Sequence, residues 1–86
     1  MSNVRFESLT KQDVIRAARK IEPKGIQKWS AIVDGGEYPV KQLLMAAANL
    51  IDSPAPRVTP ADFIAHYAVR KLKKLGFTVR YYEEGA

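Results

Sequence analysis

His66 is the one imidazole in the chain, cysteine is absent, and the carboxylates are scattered, so few groups could do covalent or metal chemistry. A nucleophilic site needs Ser or Thr beside a base that a third group orients, and only His66 could be that base. Zinc needs several Cys or His ligands, which the sequence lacks. His66, set among apolar neighbours, reads as a structural hydrogen-bonding group. The segment Asp34-Gly-Gly-Glu37-Tyr-Pro-Val-Lys41 has the acid, acid and lysine order of metal-dependent nuclease hairpins. Its spacing does not suit that chemistry, because Glu37 and Lys41 lie four apart across Pro39 and a predicted strand-to-helix junction. Neither GxxxxGK[ST] nor GxGxxG occurs, so Gly35 and Gly36 read as turn residues. The expectation is a protein that binds and is not an enzyme, with no cofactor and no metal.

The cations make the stronger pattern. Arg70, Lys71, Lys73 and Lys74 put four basic residues within five positions of a predicted helix, and Arg80 follows on the next predicted strand. Cations near a helix C-terminus favour the macrodipole, which accounts for one or two of them. The remainder suits a phosphate-contacting surface, to which Lys41 and Arg19 are further candidates. Fourteen Lys and Arg against nine Asp and Glu give a net charge of +5, in keeping with an anionic partner. Among the aromatics, Trp29 and Tyr38 read as core, and Tyr82, beside Arg80, as the better candidate for an exposed contact.

The elements that must position these groups follow from periodicity and punctuation. Ser8 or Thr10 caps a first helix with Val14, Ile15, Ala18 and Ile21 on its apolar side, stopped by Pro23 and Gly25. The opposite side carries Lys11, Arg16, Arg19 and Lys20. KWSAIV (28–33) reads as a strand, and Asp34-Gly35-Gly36 as the turn of a hairpin whose return strand is brief. A second helix starts near Pro39 and buries Val40, Leu43, Leu44, Ala47, Leu50 and Ile51, with Lys41, Gln42 and Asn49 outward. After a loop over 52–58, Thr59-Pro60 opens a third helix to about Leu75, burying Ile64, Ala68, Leu72 and Leu75 and ending on Gly76. Phe77 to Tyr82 alternates as a last strand that pairs with the hairpin.

Eighty-six residues allow one hydrophobic core, so residues 1–86 are expected to form one domain. Its fold class is α+β: three helices packed on a small antiparallel sheet in the order α-β-β-α-α-β, an arrangement akin to a winged helix. The longest apolar run, Leu43 to Ala48, is far short of a membrane span. With no signal-like N-terminus and no cysteine, the expected compartment is the cytoplasm.

The segments Trp29-Ser-Ala-Ile-Val-Asp-Gly-Gly-Glu-Tyr-Pro-Val-Lys41-Gln-Leu-Leu and Phe63-Ile-Ala-His-Tyr-Ala-Val-Arg-Lys-Leu-Lys-Lys-Leu-Gly-Phe77 carry a resemblance. Their aromatic strand, acidic-glycine turn, Tyr-Pro-x-Lys helix start and Leu-x-x-Leu-Gly-Phe helix end resemble the small N-terminal head domain of McrA-like, HNH-type restriction endonucleases that attack modified DNA. The resemblance implies a DNA-associated accessory module whose cleavage belongs to a separate HNH domain. Nucleic acid, with DNA favoured, is the expected partner. The alternative is an interaction module that docks an acidic protein or self-associates through its sheet edge.

Overall fold

The computed structural model describes residues 4–25 and 28–82. A one-turn helix, α1 (Val4–Glu7), leads into α2 (Lys11–Lys20). Thr10 decides where α2 begins. Its hydroxyl oxygen accepts from the Asp13 backbone N–H at 3.3 Å, while the Asp13 carboxylate accepts from the Thr10 backbone N–H at 2.9 Å. This reciprocal pair satisfies two donors that a helix start leaves without partners. Helix α2 buries Val14, Ala17 and Ala18 and stops as Ile21 turns extended, two residues before Pro23.

The hairpin forms where the turn chemistry places it. Strands β1 (Trp29–Val33) and β2 (Gly36–Pro39) pair antiparallel with Val33 opposite Gly36. Asp34 and Gly35 take φ values of 49° and 83°, the two successive left-handed residues that match a turn to the twist of its strands. Strand β3 (Thr78–Tyr81) pairs antiparallel with the other edge of β1, so the sheet order is β2-β1-β3. Helix α3 (Val40–Leu50) follows Pro39 directly and buries Val40, Leu43, Leu44, Ala47 and Ala48.

The third predicted helix is corrected by the structure. Thr59 and Asp62 form their own capping box, which closes on a single 3-10 turn over Pro60–Asp62. Phe63 and Ile64 then run extended, and α4 (Ala65–Lys74) starts afresh. The break delivers Phe63 to the core, 8% exposed, and leaves Ile64 67% exposed instead of buried. Ala68 and Leu72 are fully buried as expected, and Leu75 is half-buried. At the end of α4, the Phe77 N–H donates to the Leu72 carbonyl and the Gly76 N–H to the Lys73 carbonyl, both at 3.0 Å. Gly76, at φ 100°, makes this Schellman closure.

The fold is α+β, a three-stranded antiparallel sheet with four α-helices among the described residues. Alternation along β1 sends Trp29, Ala31 and Val33 toward α3 and α4, and Ser30 and Ile32 to the opposite face. Helix α2 packs on α3, and no described helix is long and apolar enough to cross a membrane.

The added helix α1 brings two unexpected anchors. Phe6, 1% exposed, meets the rings of Phe63 at 5.2 Å and Tyr67 at 5.1 Å. Arg5, 5% exposed, donates to the carbonyls of Ala48, Ile51, Ser53, Ala55 and Pro56 at 2.7 to 3.2 Å. One guanidinium thus folds the loop after α3 around itself, using donors that would be costly to bury without partners.

Candidate nucleic-acid interface

Helix α4 presents its cations because Ala68, Val69 and Leu72 fix its other side to the core. At 100° per residue, His66, Arg70, Lys73 and Lys74 fall within an arc of about 100°. All four are exposed, whereas Lys71 lies outside the arc and is half-buried. Among the described residues no carboxylate forms a salt bridge with Arg70, Lys71, Lys73 or Lys74. The first turn of α2 adds a further cation. The Lys11 ammonium lies over the Phe77 ring, 5.6 Å from its centroid, and beside Gly76 at the turn that closes α4. Asp62, which falls inside the predicted third helix, belongs to the separate 3-10 turn.

The remaining predicted contacts do not join that surface. Arg80 stands opposite Ser30 on the sheet face turned away from α4, with its guanidinium over the Tyr82 ring at 5.7 Å. A single surface of α4 and Arg80 is therefore corrected: strand alternation puts them on opposite sides of the sheet. Arg19 lies 3.8 Å from Asp34 Oδ2 by the hairpin turn, both side chains well exposed, in a pair that contributes at most about 1 kcal/mol. Lys41 donates from Nζ to the Pro60 carbonyl at 2.8 Å and lies 5.0 Å from the Phe63 ring centroid, so it ties the loop to α3.

On the open sheet face, Glu37 collects two donors on one oxygen. Ser30 Oγ donates to Oε2 at 2.5 Å, and the Tyr82 hydroxyl donates to the same atom. These bonds, Ser30 first and Tyr82 second, hold the Glu37 carboxyl below its ordinary 4.5, with Arg80 adding to the effect. The bond to Glu37 pushes the Tyr82 hydroxyl above its ordinary 10.0. Tyr82 is accordingly half-buried and occupied, and Tyr81, 52% exposed, is the more accessible ring. Glu37 and Lys41 have different partners on different elements. Among the described residues no three His, Asp or Glu side chains gather where one ion could bind them.

Sequence reasoning missed a second basic feature. A groove of about 520 Å³ lies between β1 and the starts of α3 and α4, with Trp29, Met45 and Ala65 in its wall and Lys24, Lys28 and Lys41 around it. The lysines stand on a loop, before a strand and in a helix, so no local pattern unites them. Trp29 and Tyr38 are half-buried against the core. His66, expected as a hydrogen-bonding group, is exposed and meets Trp29 edge-on at 5.9 Å.

Residues 2–86 match the SCO5918-like family. The chain belongs to that family. The match spans both the α4 stripe and the groove, so both sit within the family's own domain. No curated protein and no solved structure gives a significant match to the chain.

Proposed function

We propose that the chain is a small nucleic-acid-binding module, with DNA its favoured ligand, that acts by binding and not by catalysis. The observation that carries this is the exposure of Arg70, Lys73 and Lys74 on one side of a helix anchored to the core. Cations held by a rigid element meet a regular array of phosphates at little cost in ordering. Lysine is a point charge, so most contacts are to the backbone and sequence preference is modest. The resemblance to the head domain of McrA-like endonucleases points the same way, to an accessory module in a reducing cytoplasm.

The test is a titration of labelled duplex DNA at several salt concentrations. The logarithm of affinity falls linearly with the logarithm of salt concentration for a phosphate binder. The double variant Arg70→Ala, Lys74→Ala lowers affinity and reduces the slope by about 2. A folded double variant with unchanged affinity and slope removes α4 from the account. A second reading, docking of an acidic protein, draws support from exposed Ile64 and Tyr81. Competition by an acidic polypeptide as effective as DNA itself would favour it.

A further inference from the structure

The groove beside Trp29 combines two chemistries that few single ligands satisfy. Trp29, Val40, Met45 and Ala65 give it an apolar wall, and Lys24, Lys28 and Lys41 surround that wall with positive charge. Its volume of about 520 Å³ falls in the ~300–1,000 Å³ range of small-molecule sites. Among the described residues no Asp or Glu lines it.

Each part is held in place. Gln42 accepts from the Lys24 backbone N–H at 2.9 Å and donates to the Glu22 carbonyl at 2.8 Å, which fixes the segment bearing Lys24 against α3. The Lys28 carbonyl accepts from the Tyr82 N–H at 2.7 Å. Lys41 is anchored through Pro60. The Trp29 ring is braced by Tyr81 at 4.6 Å and by the edge of His66. Helices α3 and α4 both begin at this groove, and neither has a side-chain cap or an acid in its first turn. The start of α2, which lies outside the groove, carries a complete capping box.

We infer that this groove binds one nucleotide unit, an aromatic base packed on Trp29 with its phosphate among Lys24, Lys28 and Lys41. An inorganic anion leaves the apolar wall unused, and an apolar molecule leaves three ammonium groups without a counter-charge. A base with its phosphate uses both, and every base has a π-face for stacking. The unit comes either from a free mononucleotide or from an unpaired position in a strand. Helix α4 favours the strand: it starts in the groove at Ala65, and its exposed cations Arg70, Lys73 and Lys74 lie about 8 to 14 Å farther along its axis at 1.5 Å per residue. This choice of source rests on the proposed nucleic-acid binding, whereas the groove's ligand chemistry does not.

Trp29 is the only tryptophan, so its fluorescence reports on the groove alone. Thymidine monophosphate and a five-residue oligothymidylate are titrated separately. Both quench saturably, the oligonucleotide binding at least tenfold more tightly. The variant Lys24→Ala, Lys28→Ala weakens both ligands by tenfold or more. Arg16→Ala, Lys20→Ala removes the same charge elsewhere and leaves the mononucleotide affinity unchanged. Arg70→Ala, Lys74→Ala weakens the oligonucleotide only. Absence of saturable quenching by either ligand, or unchanged affinities in the Lys24, Lys28 variant, overturns the site while leaving duplex binding through α4 to stand or fall by its salt slope. Equal competition by inorganic phosphate overturns base recognition, and equal competition by polyglutamate assigns the groove to an acidic protein. Equal affinity for the mononucleotide and the oligonucleotide overturns the strand as source.

Discussion

Tyr82 and Glu37, forty-five positions apart, are joined by a hydrogen bond from the tyrosine hydroxyl to the carboxylate, on an oxygen that Ser30 also occupies. The bond ties the end of β3 to β2 across the central strand. Its pH dependence has a definite sign at each end. Glu37 is depressed in the folded state, so its contribution is complete above its ordinary 4.5 and is lost as pH falls through the lowered value. Tyr82 is raised, so its contribution is complete below 10.0 and is lost as pH rises through the raised value. Urea melts of wild type and Tyr82→Phe should therefore differ most between those limits and converge as the solution is acidified. A gap that is constant from neutral pH to pH 2 would rule out the carboxylate as the hydroxyl's partner.

Arg5 is the side chain whose loss should harm the fold most for its exposure. Arg5→Ala leaves several carbonyls of the 48–56 segment without their donor, and unpaired buried polar groups cost about 1–3 kcal/mol each. A loss of roughly 3 kcal/mol is expected, since water reaches some of them. Arg5→Lys recovers part of it, because an ammonium has three donors where the guanidinium has five in a planar fork. Chemical denaturation of both variants measures the order. Equal stability of Arg5→Lys and wild type would show that charge, and not the fork, matters.

The contrast between Arg5 and the hairpin turn explains what the sequence reveals. Asp34-Gly35 is legible because a left-handed turn is decided by the residues that adopt it. Arg5 acts on carbonyls 43 to 51 positions away, so its neighbours in sequence carry no sign of its role. The Thr59-Pro60 start is also legible, yet Asp62 satisfies the cap so locally that one turn is enough, and burial of Phe63 then breaks the helix. For the interface, the basic run on α4 shows in its spacing. The groove does not, because Lys24, Lys28 and Lys41 meet only after α3 packs on the sheet. Gln42 and Asn49, expected to face outward, instead clamp loops. Asn49 bonds both the N–H and the carbonyl of Val58, at 2.7 and 2.9 Å.

Gly76 separates stability from binding. Its φ of 100° is unfavourable for any residue with a Cβ, although a Cβ built there meets only Lys11 Nζ, at 3.7 Å. Gly76→Ala should cost about 1–2 kcal/mol through backbone strain. Because α4 keeps its anchoring residues, DNA affinity measured well below the melting temperature should be unchanged. A large loss of affinity in the folded variant would mean that the closing turn itself contacts the ligand.

Arg80 gives the sharpest check on where DNA lies in the proposed complex. Its side chain leaves the sheet on the face opposite α4, beside Tyr82 and Glu37, so a duplex lying along α4 passes it on the far side of β1 and β3. Arg80→Ala should leave both the affinity and the salt slope for duplex DNA as they are in wild type. Lys73→Ala, which removes one cation from the exposed arc of α4, should reduce the slope by about 1. The two variants carry the same change in net charge, so a general field effect would move them equally. Parallel titrations over the same salt range distinguish the cases: a slope that falls by the same amount in both variants would place DNA against the open face of the sheet as well, or reduce the interaction to bulk charge.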